Sequence, residues 1–542
     1  MSTSLVNFSG AVKLADVSDY IAPAQSCVVA LESEKKNAVV DVDAEEERGG
    51  VTGEVSLQQR RTKRSLMKGT KIRPNDSDVG ADGASRSKKV KGPGFGFSQV
   101  KSEKGPEQNS LKVTLNDCLA CSGCVTSAET VLMEQQSTEE FLRVLGANDT
   151  RADESEASTS SSSLASKKEK KKKIIVVTLS AQSRSSLAKH YGLSPLEITL
   201  KVSGFLKNLG VQYVFEDDVG RDMALVATLE EFWDRYNSKG LPLLTSECPG
   251  WVLYAEKTHG DLILPYMSKT RSAIASLGSL TKKIMPEKLG VSADAIYHCF
   301  VSPCYDKKLE ASREELKSGE FADLDCVLAT TEFYQLLVQK GFDPHEAPMT
   351  PFDDLMEGEQ DRLHSARGSS GGYLEFVFRE CALRLQGRDF PPGNLPLKVV
   401  RNADFQEITL SDENGEVLLS FALAYGFRNI QNIIRRIKQK KMTYHFVEVM
   451  ACPSGCLNGG GQMKDDHIAG ARVLDRKQIL SELEQLYHHS QVVQRDPRSN
   501  PAVGHVLKWL GGLRSKLTVD ALTTQFHNRS QKRESAAMVI DF

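Results

Sequence analysis

The chain has 542 residues, 40% of them hydrophobic and 26% charged, which is enough apolar material for a sizeable core in two or three domains. Its formal net charge of -2 gives no reason to expect nucleic acid or an acidic membrane as the main partner. No charged-then-apolar leader opens the sequence and no apolar run approaches the roughly 18 residues that span a bilayer, so the expected compartment is the cytosol, with the nucleus second. Thiols stay reduced there, so eleven cysteines read as metal ligands or catalytic groups rather than disulfides.

In chain order, residues 1–35 form an N-terminal segment with one cysteine, Cys27, in "IAPAQSCVVAL". Residues 36–110 mix Lys, Arg, Glu, Gly and Ser without apolar periodicity and are expected to be a disordered insertion, because so little apolar surface cannot offset the entropy of ordering. Its "KKVK" run, Lys88 to Lys91, reads as solvated linker, with a nuclear signal as the alternative. Residues 111–150 carry "LNDCLACSGCVTSAE", a Cys-x-x-Cys-x-x-Cys run of Cys118, Cys121 and Cys124. Thiolates at that spacing suit three corners of a [4Fe-4S] cube, and Ala120, Ser122 and Gly123 let backbone amides approach the sulfides. A cube needs a fourth ligand, and Cys27 is the other cysteine in the N-terminal third. A structural zinc site is the alternative, although such sites usually come as two separated Cys-x-x-Cys hairpins. Residues 151–173 have the Ser and Lys bias of a solvated linker.

The body from Ile174 alternates strand-like and helical patterns: "IIVVTLS", then "LSPLEITLKVSGFLKNLG", then "VQYVF". This predicts a parallel α/β sheet. Three later strand candidates each end in a cysteine loop: "LPLLTS" before Cys248, "AIYHCFVS" before Cys304 and "YHFVEVM" before Cys452, with Cys456 four residues on. Ligands bind at the carboxyl edge of open α/β sheets, so these four cysteines are expected to meet on one rim and hold a second cube. Pro249, Pro303 and Pro453 stiffen the loops, and the glycines at 459 to 461 are expected to let the chain close around a bulky inorganic ligand. The plain alternative is a set of unrelated buried thiols, which suits Cys299, Cys326 and Cys381 inside apolar patterns.

On these three loops the sequence resembles the iron-only hydrogenase superfamily, in the order of that family's signature segments. "EDDVGRDMALVATLEEF" and "SSGGYLEFVFRE" are similar to stretches of its core, and "RSNPAVGHVLKWL" to its fused small-subunit tail. The resemblance implies an α/β iron-only hydrogenase-like core with parallel sheets over 174–490, a small-subunit-like tail over 491–530, and a small N-terminal ferredoxin-like cluster-binding unit. Within the superfamily the chain is most similar to the eukaryotic hydrogenase-like cytosolic iron-sulfur assembly factors, the nuclear prelamin A recognition factor-like group. That resemblance implies two [4Fe-4S] clusters, one on Cys27, Cys118, Cys121 and Cys124, the other on Cys248, Cys304, Cys452 and Cys456. True hydrogenases carry a further, proton-relaying cysteine just before the one matching Cys248. Here the position is Glu247, while Lys307 is retained, so no hydrogenase activity is expected.

The last residues, 531–542, are expected to be a flexible docking peptide. Ile540, Asp541 and Phe542 resemble the tripeptide by which clients dock on the cytosolic iron-sulfur targeting complex, an aromatic anchor beside two negative charges. A frayed tail is the alternative. The family resemblance implies a non-enzymatic factor linking an early P-loop scaffold to that targeting complex, with its WD40 propeller component, in the cytoplasm and also the nucleus. An iron-sulfur electron-transfer enzyme or an oxygen sensor remains open at this point, because the same thiolates support all three.

Overall fold

The computed structural model describes residues 127–148, 172–356, 362–391, 393, 395–463 and 475–529. Cys27, Cys118, Cys121 and Cys124, the segments 1–35 and 36–110, and the terminal Ile540, Asp541 and Phe542 lie outside them, as does all but the last two residues of the linker at 151–173.

The strands follow as β1 (Ile174–Leu179), β2 (Tyr213–Glu216), β3 (Leu243–Thr245), β4 (Ile296–Ser302), β5 (Cys326–Ala329), β6 (Lys398–Asn402), β7 (Phe405–Ser411), β8 (Val417–Tyr425) and β9 (Phe446–Met450). They form two sheets rather than one. The first, ordered β2-β1-β4-β5, is parallel throughout, with Val176 opposite Tyr213, Ile174 opposite Ile296 and Cys299 opposite Cys326. The second is ordered β3-β9-β8-β7-β6; its first three strands are parallel and its last two antiparallel. Parallel strands covered on both faces need unbroken apolar runs, and "IIVVTL" and "IYHCFVS" supply them: every residue of β4 and all but the first of β1 are buried.

Helices cover the sheets: α1 (Ser127–Glu134), α2 (Ala181–Tyr191), α3 (Pro195–Asn208), α4 (Asp218–Asn237), α5 (Pro249–Thr258), α6 (Ala273–Leu289), α7 (Asp306–Ala311), α8 (Tyr373–Gln386), α9 (Pro501–Leu510) and α10 (Lys516–Leu522). Local sequence sets their starts. Ser194 caps α3 by accepting from the Glu197 amide, with Pro195 at the first helical position, where its missing N–H costs nothing. Against the second sheet α4 and α8 bury an aromatic cluster: Phe232 lies 5.7 Å and Phe378 5.3 Å from Phe421, which stacks 5.3 Å from Phe446. Each such ring contributes about 1.5–3 kcal/mol by leaving water. Helices α9 and α10 join the core between α4, α6 and the first sheet through Ala502, Val503, Val506, Ala521 and Leu522. At the N-terminal side Met133 of α1 packs against Leu253 of α5 and Tyr305 and Leu309 of the next cysteine-led segment. No helix among the described residues is long and apolar enough to cross a membrane.

Candidate metal centre

Helix α5 begins directly after Cys248 and α7 two residues after Cys304, so two of the cysteine loops are strand-to-helix turns at carboxyl strand ends. The third, after β9, is irregular. Because β3 and β9 are parallel neighbours in the second sheet while β4 lies in the first, the cysteines gather where the carboxyl edges of two sheets meet. The single rim expected from the sequence is therefore a junction between two. Short polar side chains hold the turns. Ser246 donates to the Val449 carbonyl at 2.5 Å and accepts from the Cys248 amide at 2.9 Å, tying the first loop to the third. Ser302 accepts from the Cys304 amide at 3.3 Å, and Ser370, from the segment before α8, accepts from the Cys456 amide at 2.9 Å.

Cys248, Cys304, Cys452 and Cys456 are all free thiols and lie close enough to perturb one another. Burial pushes Cys248 up to about 11 and Cys456 to about 12, and raises Cys304 and Cys452 well above the usual thiol range. Neighbouring charges add to this. Cys304 feels Asp306, Cys452 and Cys248; Cys452 feels Cys248 and Cys456. Donors to sulfur oppose it: the Ala451 and Trp251 amides on Cys248, the Asp306 amide on Cys304 and the Ser370 hydroxyl on Cys456. Among the described residues no three His, Cys, Asp or Glu groups converge on a single-ion site. Four neighbouring thiols, with N–H and O–H donors to Cys248, Cys304 and Cys456, fit a polynuclear iron-sulfur cluster better than one tetrahedral zinc ion. In such a group iron would take the place of the four thiol protons.

Glu247 lies inside this arrangement. Its carboxylate accepts from Lys307 Nζ at 3.0 Å, from the Tyr373 hydroxyl at 2.8 Å and from the Ala273 amide at 3.0 Å. Lys307 also pairs with Glu310 at 2.7 Å. Burial works against the Lys307 ammonium, yet the two glutamates hold it well above the ordinary lysine range. Burial and Glu247 likewise keep Tyr373 protonated far beyond the usual phenol range. A carboxylate with every approach filled is a poor proton carrier. Ser370 and Tyr373 fall in the core-like stretch "SSGGYLEFVFRE" and Asp306 two residues after Cys304, but nothing in the sequence placed them beside the thiols.

The glycines of the third loop act differently from expectation. A Cβ at Gly459 would sit 2.2 Å from the Pro303 carbonyl and one at Gly461 2.9 Å from Ala329, while the Gly461 amide donates to Pro303 at 2.9 Å. These residues thus seat the loop on the neighbouring Cys304 loop, backbone to backbone. Gly455 has φ +74°, and a Cβ there would meet Ser370 Oγ at 2.0 Å, so it too is confined to glycine. Cys299, Cys326 and Cys381 are fully buried away from these loops, in β4, β5 and α8.

Comparisons with known proteins agree with this geometry. Residues 173–460 match the family described as iron only hydrogenase large subunit, C-terminal domain. Cytosolic iron-sulfur assembly component 3 of Mus musculus is 39% identical over 533 residues, covering 96% of each chain. Protein NAR1 of Arabidopsis thaliana is 39% identical over 439 residues, 77% of this chain and 86% of the relative. Among solved structures, the apo [FeFe]-hydrogenase HydA1 from Chlamydomonas reinhardtii superposes with a TM-score of 0.60 at 23% identity, over 72% of this chain and 99% of the other, which shows the shared fold. The chain belongs to the iron-only hydrogenase-like family, alongside the cytosolic iron-sulfur assembly components.

Proposed function

We propose that the protein is a non-enzymatic cytosolic iron-sulfur assembly factor carrying two [4Fe-4S] clusters. Cys248, Cys304, Cys452 and Cys456 hold one and Cys27, Cys118, Cys121 and Cys124 the other. The observation that carries the reading is the junction of two sheet edges, where four free thiols, two buried and two half-buried, lie close together beside a carboxylate pinned by Lys307 and Tyr373. Burial keeps the four thiols protonated in the bare protein, and iron that takes the place of those protons is what would let them act as thiolates, in keeping with a cluster site. The names of relatives aligned along almost the whole chain support the assembly role over hydrogen chemistry. The pinned Glu247, where a proton relay would need a mobile group, points the same way. In this reading Ile540, Asp541 and Phe542 dock the factor on the targeting complex with the WD40 propeller, and an early P-loop scaffold supplies the clusters.

The test is iron and acid-labile sulfide per chain after anaerobic purification. About eight of each is the expected result. Zinc with little sulfide would overturn the assignment, and infrared bands from bound CO or cyanide would return the chain to the hydrogenases.

A further inference from the structure

After α10 the chain runs on over the surface as residues 523–529, which form no helix or strand of their own. Both ends of this segment are tied down. Thr523 pairs antiparallel with Thr270, its carbonyl accepts from Arg271 Nε at 2.9 Å, and the Thr524 amide donates to the Lys269 carbonyl at 2.8 Å. Further along, the His527 amide donates to Glu256 Oε1 and the Arg529 amide to the Glu256 carbonyl, both at 2.9 Å, while Asn528 Nδ2 donates to Asp261 at 2.5 Å. Glu256, fully buried near the end of α5, is held from its other side by Arg313 at 2.7 and 3.0 Å. The segment thus crosses from the loop before α6 to the far end of α5, the helix that starts after Cys248.

Under the crossing lies a cleft of about 480 Å³, whose lining runs from buried Glu247 and Cys248, past Leu309 and Arg313, to half-exposed Thr524 and Phe526 of the segment. Phe526 is the segment's one apolar residue. It packs against the group that includes Cys248 and Trp251, with Arg313 over its ring at 6.0 Å. A stretch held by one ring and a few surface hydrogen bonds lies at the low end of local stability and opens without unfolding the core behind it. We propose that residues 523–529 are a strap across the approach to Cys248, and that its lifting sets how fast small solutes reach the second cluster site. Helix α10 stays in place when the strap lifts, because Ala521 and Leu522 anchor it in the core. The consequence for a cluster rests on the assignment proposed above; the cover over the Cys248 thiol does not.

Gly260, just after α5, offers a substitution outside both the strap and the thiol loops. A Cβ there would meet the Asn528 side chain at 2.1 Å, so Gly260→Ala should push the strap off its seat. The first measurement is iodoacetamide labelling of the full-length protein after its metal is removed with EDTA, read for each cysteine by peptide mass spectrometry. Gly260→Ala should label Cys248 about tenfold faster than the parent, the scale of one or two lost hydrogen bonds. Deletion of 524–542 should speed it further, whereas deletion of 531–542, which spares the strap, should leave it at the parent rate. Cys381, buried in α8 and outside the cleft, should keep its rate throughout and so reports any general loosening. Equal Cys248 rates in the parent and both strap variants, or a rise matched at Cys381, would overturn the strap. The second measurement follows the visible iron-sulfur absorbance of the anaerobically purified Cys121→Ala chain, in which the N-terminal cysteine run is broken, under the same chelator. Gly260→Ala should speed its loss in proportion to the labelling. Labelling that responds to the strap while the Cys121→Ala parent shows no such absorbance would overturn the cluster assignment and uphold the strap.

Discussion

Two carboxyl edges of this molecule are buried, and they solve the problem of buried charge in opposite ways. At the ends of β1 and β2, cations and anions alternate. Arg184 pairs with Glu216, Arg221 lies 3.1 Å from Asp217 and 3.5 Å from Asp222, and Arg495 reaches Asp218 at 2.9 Å. Asn500 adds a hydrogen bond to Asp222 at 2.9 Å. At the ends of β3, β4 and β9 the corresponding space holds four free thiols beside the Glu247–Lys307 pair. At the first edge every acid meets an arginine of the chain itself, so the network is complete once the chain folds. The second gathers thiols whose protons iron can replace, so it is the edge suited to a bound metal group. A buried ionic network and a ligand site differ, on this comparison, in whether the buried groups partner one another or present ligand atoms.

The sharpest way to break the contrast is to damage each edge in turn. Cys452→Ser should empty the thiol edge, dropping iron and labile sulfide from about eight to about four per chain, since one missing corner ligand forfeits a whole cube. Equal loss from both sites would show that the two clusters depend on each other. Glu216→Ala should do the converse. It strands the fully buried Arg184, whose guanidinium burial already lowers to about 10, and should cost about 3–5 kcal/mol in urea unfolding. The iron content of the protein that still folds should be unchanged.

A third test sits beneath the thiol edge on β9. Burial raises Glu448 to about 7 from a usual 4.5, against the pull of the Leu374 amide and the Tyr425 hydroxyl. The folded state therefore binds this proton more tightly than the unfolded one. Its contribution to stability is fully present below pH 4.5 and lost as pH rises through 7. Relative to Glu448→Gln, the parent should lose up to about 3 kcal/mol over that window, read as diverging denaturant midpoints at pH 4.5 and 7.5. Parallel midpoints would place Glu448 outside this balance. The smallest effect is expected from Tyr373→Phe. Loss of its bond to Glu247 should cost about 1 kcal/mol in thermal or urea unfolding, with iron content intact.

How much of this was legible depends on the range of the interactions. Strand-forming runs of β-branched residues closed by Ser, Pro and Cys are local signals, and β1, β3, β4 and β9 fall where those runs are. The helix over 195–208 was likewise marked by its cap and periodicity. "EDDVGRD" was legible only in part. Its family-like pattern marked it as a core stretch, but not which partners would bury its charges: Glu216, Asp217, Asp218, Arg221 and Asp222 are all buried, with Arg184 and Arg495 arriving from distant segments. The same holds for Glu247, which was noticed as a replacement but whose partners Lys307 and Tyr373 lie 60 and 126 residues away.

By itself the sequence determined the inventory: an α/β body, three proline-flanked cysteine loops, each after a strand, and a separate Cys-x-x-Cys-x-x-Cys run near the N-terminus. Local periodicity and loop chemistry suffice for that, since each is decided by residues a few positions apart. Only the tertiary structure decided that β3 and β9 pair in one sheet while β4 lies in another, so that the thiols meet at a junction. It alone decided which glycines serve loop-to-loop packing, and that Glu247 ends beside the thiols pinned by Lys307 and Tyr373. Strand order and charge pairing are set by contacts between residues far apart in the chain, where burial makes every unmatched charge costly and local pattern carries no information about the partner.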